Sequence, residues 1–332
     1  MSELRQDPIT HDWVIINPGR AKRPEDGEGR GEAAPCPFCP GNEALAPDET
    51  DQLADAAGRW TVRAVPNRYA TLDAERRAVV RYGEIPEGWR RLPAYGQHEV
   101  IIESREHEAT LATLAVEQLR DVLEMYARRF RVFAALTGVS RQVVLFKNQG
   151  RRAGTSLIHP HAQIVATPVV SPEVRLRTQE EVAIFDSTGR CGMCHVVSRE
   201  RGSGERVVHG SAHFITLAPY ASRVPWQIQI VPLRHAPSFA EVKSVELDDL
   251  AQHLRAVLGA LHAVLGDPHY NLVVMTPPLD QVHRHANHWF IDVQPRITLP
   301  AGFELGSRIV VNVQTPEAAA QGLRAQLSGG AQ

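Results

Sequence analysis

A chain of 332 residues, 43% of them hydrophobic, is long enough to bury a sizeable core, as one large domain or two modest ones. Its formal net charge of −2 excludes a global attraction to nucleic acid polymers or anionic membranes, so any phosphate it binds must be held by local groups. The opening MSELRQDPITHDWV has charges and a proline in place of a signal peptide's apolar core, and no apolar run reaches the roughly eighteen residues of a membrane span, so a cytoplasmic setting is expected.

Taken in chain order, the first chemical signal is the pair Cys36 and Cys39. In a reducing compartment a C-x-x-C pair reads as a metal site or redox centre before it reads as a disulfide. A strand-like run from His98 to Ser104 (HEVIIES) follows and leads to His107. Val116, Leu119, Val122, Leu123, Tyr126, Phe130 and Phe133 then recur at helical spacing, and Gly138 suits the left-handed position that ends a helix. Another apolar strand, residues 142–146 (QVVLF), precedes a loop and the strand His159-Pro160-His161-Ala162-Gln163. Strand alternation points 159, 161 and 163 to one face, with Ala162 and Ile164 on the other. Pro160 donates no ladder hydrogen bond, which predicts an edge or irregular strand. Two histidines at this spacing are either two metal ligands or one ligand beside one nucleophile.

The same series then repeats. Cys191 and Cys194 are followed by the strand 227–231 (QIQIV), His235, a helix carrying Val245, Leu250, Leu254, Val257, Leu258, Leu261 and Leu265, the glycine Gly266, the strand 270–275 (YNLVVM) and His288. His107 to Gly138 spans 31 positions, as does His235 to Gly266; His107 to His159 spans 52 and His235 to His288 spans 53. The pattern predicts an α+β fold of two tandem halves, 1–175 and 176–332, each an antiparallel sheet with packed helices.

Each half offers two thiols and two imidazoles: Cys36, Cys39, His107 and His159, then Cys191, Cys194, His235 and His288. For the second set His195, His283 and His285 are alternative histidines. Four N/S ligands suit a closed tetrahedral zinc site, which is structural and not Lewis-acidic, and two zinc ions per chain are expected. The face that reads His159, His161, Gln163 in the first half reads His288, Phe290, Asp292 in the second. Both halves therefore read as metal-binding, and only the first as reactive.

The stretch His159-Pro160-His161-Ala162-Gln163 resembles the His-Pro-His-x-Gln signature of galactose-1-phosphate uridylyltransferases, the transferase branch of the histidine-triad superfamily. Asp7-Pro8, Trp13-Val14, Arg20-Ala21-Lys22-Arg23-Pro24, Cys36-Pro37-Phe38-Cys39, Pro66-Asn67-Arg68-Tyr69 and Phe146-Lys147-Asn148-Gln149-Gly150 extend the resemblance to roughly residues 5–325. The resemblance implies that His161 is a covalent nucleophile and that Gln163 hydrogen-bonds the phosphoryl group. It implies that Asn67 lies by the nucleoside, that Asn148 and Gly154-Thr155-Ser156 lie near the phosphates, and that Arg20 and Arg23 face phosphate. It also implies a homodimer acting on a nucleotide sugar with a sugar 1-phosphate or phosphate. The expected reaction is UDP-glucose plus galactose 1-phosphate giving UDP-galactose plus glucose 1-phosphate.

Two departures point to a sister group, the ADP-glucose:phosphate adenylyltransferases. Arg177 stands about where the family has an iron-binding glutamate, and the second half carries the zinc-like set instead. The segment Gly302-Phe303-Glu304-Leu305-Gly306-Ser307 resembles the hexose-contacting segment, with Phe303 and Glu304 as candidate contacts, but the glutamine expected after it is absent. ADP-glucose phosphorolysis is the alternative reaction, and a non-catalytic, zinc-stabilised nucleotide-binding protein is an alternative of another class. The retained His161 and Gln163 argue against the latter.

Overall fold

The computed structural model describes residues 3–6, 13–16, 35–74, 89–136, 140–280 and 282–329. The strands of the first half are β1 (Glu3–Gln6), β2 (Trp13–Ile16), β3 (Asp51–Ala54), β4 (Trp60–Pro66), β5 (Arg90–Pro93), β6 (Gln97–Ile102), β7 (Gln142–Gln149) and β8 (His161–Thr167), with helix α1 (Val116–Ala134) between β6 and β7. Helices α2 (Pro172–Thr188) and α3 (Gly192–Ser203) lead into β9 (Val207–Gly210), β10 (Phe214–Leu217), β11 (Ile228–Pro232), α4 (Ser244–Leu265), β12 (Tyr270–Met275) and β13 (Phe290–Pro295). Helices α5 (Gly302–Ser307) and α6 (Pro316–Gly329) follow. The expected boundary at residue 175 falls inside α2. Gly138 lies outside the described residues, whereas Gly266 ends α4 with φ 77°.

Ten strands form one sheet in the order β3-β4-β6-β8-β7-β12-β13-β11-β10-β9, every pairing antiparallel; β2-β1-β5 form a small second sheet. Read from either end towards the middle, the large sheet has the same order: first, second, third, fifth and fourth strand of each half. The halves are thus related by a pseudo-twofold axis between β7 and β12, where the two fourth strands meet. The α+β antiparallel architecture matches the expectation, with the two sheets joined into one.

Sequence alternation explains the two faces. On one face α1 and α4 pack side by side, burying Leu119, Val122, Leu123, Phe130 and Phe133, and Leu250, Leu254, Val257, Leu258 and Leu261, against Ile101, Ala162, Ile164, Ile230, Leu272 and Ile291. Each such side chain contributes roughly 1.5–3 kcal/mol on burial. The other face carries two smaller apolar clusters. One is Phe38, Trp60, Val65, Val100 and Ile102; the other is Cys191, Met193, Val197, Ile215, Leu217, Val231 and Phe290. These clusters surround the two sets of thiols and imidazoles. Trp60 and Trp289 are buried and Trp226 packs against the core, as expected of core tryptophans.

Of the expected edge or irregular strand at His159–Gln163, the edge is corrected: β8 lies between β6 and β7 near the middle of the sheet. Pro160 is tolerated because the strand begins one residue after it, and the Pro160 carbonyl still accepts from the Glu103 amide at 3.0 Å. Beneath this strand start, on the helical face, Lys147 Nζ donates to Glu103 Oε2 at 2.5 Å and to the His161 carbonyl at 3.4 Å. Tyr126 donates to the other Glu103 oxygen. Burial and this contact push the Tyr126 phenol well above its ordinary value.

Candidate metal centres and active site

The two predicted ligand sets come together as sets. In each, the four ligand atoms lie within 4.8 Å of one another. In the first, Cys39 Sγ is 3.2 Å from His107 Nδ1 and 3.6 Å from His159 Nδ1. In the second, Cys194 Sγ is 3.6 Å from His235 Nδ1 and 3.5 Å from His288 Nδ1, and Cys191 Sγ is 3.8 Å from His288 Nδ1. A tetrahedron with Zn–S of about 2.3 Å and Zn–N of about 2.05 Å has S···N edges of about 3.6 Å, so both clusters already have the spacing a tetrahedral ion requires.

The outer nitrogens support the same reading. His159 Nε2 donates to the Ser104 carbonyl at 2.8 Å, His235 Nε2 to the Arg284 carbonyl at 2.9 Å and His288 Nε2 to the Pro232 carbonyl at 3.2 Å. A carbonyl only accepts, so the Nδ1 lone pairs are turned to the thiols, the usual orientation of ligand histidines. Burial lowers the His159 pKa to about 4, which keeps that ring neutral. Burial also pushes the Cys36 thiol up, whereas the hydrogen bond from the Cys194 thiol holds Cys191 down. A dication coordinated in each set would deprotonate its two thiols. All four cysteines are free of disulfides.

His161 opens β8 on the face away from α1, 6% exposed, with its ring 5.4 Å from Phe38. Its Nδ1 donates to the His159 carbonyl at 2.8 Å, which puts the imidazole lone pair on Nε2. The zinc-type ligand and the reactive-type histidine are therefore linked through one backbone carbonyl. Two residues on, the Gln163 amide is oriented by a network that sequence reading did not find. His98 Nδ1 accepts from the Thr71 amide at 3.1 Å, so its proton is on Nε2, which donates to Gln163 Oε1 at 3.0 Å. Asn67 Oδ1 accepts from the Tyr69 amide at 2.8 Å, and Asn67 Nδ2 points to Gln163 Oε1 at 3.4 Å. With its oxygen occupied from behind, Gln163 presents its NH2 group as the donor. The missed signal was His98 itself, a polar residue alternating with Val100 and Ile102 on the face that carries His161.

Asn148 stands near the end of β7, and the turn after it places Gly154 at φ 91°. The Thr155 hydroxyl donates to the Leu157 carbonyl at 2.8 Å within the same loop, and Ser156 follows it, half-buried. Arg20 and Arg23 lie outside the described residues. Phe303 and Glu304 are carried by α5 at the surface; Phe303 is 59% exposed, and Glu304 Oε2 accepts from the Ala301 amide at 3.0 Å. In the second half, Phe290 occupies the place of His161 and Asp292 that of Gln163. The Arg177 guanidinium covers the Phe290 ring at 4.4 Å and pairs with Glu181 at 2.8 Å. Asp292 accepts from Gln227 at 2.8 Å and Gln294 at 2.5 Å, and burial pushes its carboxyl up. That half has a capped, apolar counterpart where the first has a nucleophile-type imidazole.

Chemically, a neutral imidazole with its lone pair on Nε2, beside a fixed amide donor and a glycine-bearing loop, can attack a phosphorus centre and stabilise its oxygens. The sequence model of the family described as "Galactose-1-phosphate uridyl transferase, N-terminal domain" matches residues 1–171. An ADP-glucose phosphorylase from Arabidopsis thaliana is 33% identical over 330 residues, covering 97% of this chain and 92% of that protein. A galactose-1-phosphate uridylyltransferase from Thermotoga maritima is 26% identical over 332 residues, covering 98% of each. The crystal structure of the ADP-glucose phosphorylase from Arabidopsis thaliana with bound ADP-glucose superposes with a TM-score of 0.77 over 98% of both chains, at 31% identity. The chain therefore belongs to the galactose-1-phosphate uridylyltransferase family and is a nucleotidyltransferase.

Proposed function

We propose that this nucleotidyltransferase works through a covalent intermediate on His161, moving uridylyl between UDP-glucose and galactose 1-phosphate. The observation that carries the reading is the Nδ1 hydrogen bond of His161 to the His159 carbonyl, which leaves Nε2 as the attacking atom. The Nε2 lone pair forms a bond to the α-phosphorus as the bond to the bridging oxygen breaks and sugar 1-phosphate departs. A phosphate oxygen of the acceptor then attacks the same phosphorus, and the N–P bond breaks. Gln163 donates to a non-bridging oxygen, with Asn148 and the Gly154-Thr155-Ser156 turn at the phosphates and Asn67 by the nucleoside. Arg20 and Arg23 are assigned to phosphate binding from the family resemblance.

Zinc is the metal we assign to both sets: it accepts mixed thiolate and imidazole ligands in a tetrahedron, and its task is to fix the strand starts at His159 and His288. The reduced thiols suit a cytoplasmic setting. Residues 1–175 form the reactive unit and 176–332 its partner unit. The exposed apolar residues Phe303, Leu305 and Val313 support a homodimer in which Phe303 and Glu304 meet the hexose.

A second reading, ADP-glucose phosphorolysis with inorganic phosphate as acceptor, is favoured by the Arabidopsis relative and by Arg177 standing over Phe290. Incubating the protein with UDP-glucose or ADP-glucose, each with galactose 1-phosphate or phosphate, and identifying the products separates the two. UDP-galactose and glucose 1-phosphate from the first pair are the expected products. ADP from ADP-glucose and phosphate, with no reaction of UDP-glucose, would establish the second reading and overturn the first.

A further inference from the structure

The second half touches the phosphate loop of the first at residues to which no role has yet been given. β7 and β12 pair with Asn148 directly opposite Asn271. On the other side of β7, the register Lys147↔Ala162 continues one step to set Asn148 beside His161. Directly opposed residues share a face, so His161, Asn148 and Asn271 form one row across three strands. Asn271 Nδ2 donates to Asn148 Oδ1 at 2.8 Å and to the Ala153 carbonyl at 2.9 Å. Both hydrogens of that amide are thereby committed to the loop, and the Asn148 amide is fixed with its oxygen towards β12 and its NH2 group on the loop side. A Cβ on Gly154 would stand 3.9 Å from that nitrogen.

His269, one residue before β12, supplies the second anchor. Its Nδ1 accepts from the Arg152 amide at 3.1 Å. Its ring occupies the space a side chain at Gly150 would need, since a Cβ there would meet the imidazole at 2.1 Å. Gly150 itself has φ 79°, in the left-handed region that favours glycine. The loop from Asn148 to Gly154 belongs to the first half, and these anchors belong to the second.

We infer that Asn271 and His269 are positioning residues for nucleotidyl transfer, holding the Asn148–Gly154 loop so that the Asn148 NH2 group is aimed at the phosphoryl group carried by His161. The catalytic consequence rests on the function proposed above; the anchoring does not. The half that lacks a nucleophile thus acts as the template for its neighbour's phosphate loop, and preorganised donors of this kind act mainly on the transition state.

The test uses the full-length, metal-loaded protein and three variants. Asn271→Asp keeps the shape but replaces a donor with acceptors facing Asn148 Oδ1 and the Ala153 carbonyl. His269→Ala removes the acceptor for Arg152, and His269→Asn returns an oxygen close to where Nδ1 stood. Two readouts are taken: hydrogen–deuterium exchange of residues 148–156 without ligand, and kcat and KM with whichever nucleotide sugar the wild type uses. In Asn271→Asp and His269→Ala, exchange of 148–156 rises while β8 and zinc content stay as in wild type. kcat falls about ten- to a hundredfold with a smaller change in KM, and His269→Asn restores most of both. Unchanged exchange, or looser exchange with unchanged kcat, overturns the positioning role. Looser exchange in variants of a wild type that forms no nucleotidyl adduct with UDP-glucose or ADP-glucose upholds the anchoring and refutes the transfer reading instead.

Discussion

Replacing His161 with alanine is expected to lower nucleotidyl transfer by a factor on the order of 10⁴ to 10⁶, the scale seen when a covalent nucleophile is removed, while zinc content stays at two per chain. The melting temperature should move by only a few degrees. His161 packs beside Phe38 and stands outside the set of thiols and imidazoles, and its hydrogen bond to the His159 carbonyl is local to that strand end. His159→Ala should behave differently. His159 is fully buried and its Nδ1 faces Cys39, so its loss would take away one of the four proposed zinc ligands and with it the support of the strand that carries His161. Parallel assays of rate, zinc content and thermal unfolding distinguish the pair. Loss of zinc in His161→Ala would mean that the two histidines have exchanged roles.

The second large effect is expected from the thiols. Structural zinc binding is worth about 10–16 kcal/mol at neutral pH, whereas a domain's whole stability is about 5–15 kcal/mol. Cys39→Ser should therefore reduce the metal content from two ions per chain to one and leave the first half unable to hold its native fold, with activity lost. Cys191→Ser should likewise remove one ion and unfold the cluster of Met193, Val197, Ile215 and Phe290 around it. Elemental analysis of chelator-free protein, with circular dichroism during heating, measures both. A metal content of two in either variant would take that cysteine out of its site.

Much of this architecture is legible in the sequence because it is local or repeated. The helical period of Leu119, Val122, Leu123 and Phe130, the glycine after the second long helix and the matching intervals between the candidate ligand histidines all survive as linear patterns. The ligand sets are legible for the same reason: each half repeats two thiols and two imidazoles in one order. What escapes is register. Nothing near β7 or β12 announces that these two strands pair, so the joining of two sheets into one, and the contact of Asn271 with Asn148, appear only once the chain is folded. The central place of β8 escapes because a proline in a strand argues for an edge, and only the position of the strand's first residue removes the conflict. Lys147 escapes because lysine is rarely buried; its partner Glu103 is 44 residues away. Phe303 and Glu304, read by resemblance as hexose contacts, lie on the surface helix α5, apart in sequence from every strand of the large sheet that carries His161 and Gln163.

The central claim is the covalent intermediate on His161. The hydrogen bond from Nδ1 to the His159 carbonyl puts the imidazole lone pair on Nε2, the atom proposed to attack phosphorus. Supplied with nucleotide sugar and no acceptor, the protein should stop with one nucleotidyl group bound, as an acid-labile phosphoramidate. Intact-protein mass spectrometry at neutral pH, with UDP-glucose and ADP-glucose in separate incubations, is the direct measurement. The account predicts one added nucleotidyl group per chain from one of these donors, mapped to His161 and discharged by its acceptor. Turnover of a nucleotide sugar with no adduct from either donor, or an adduct that persists in His161→Ala, would contradict it.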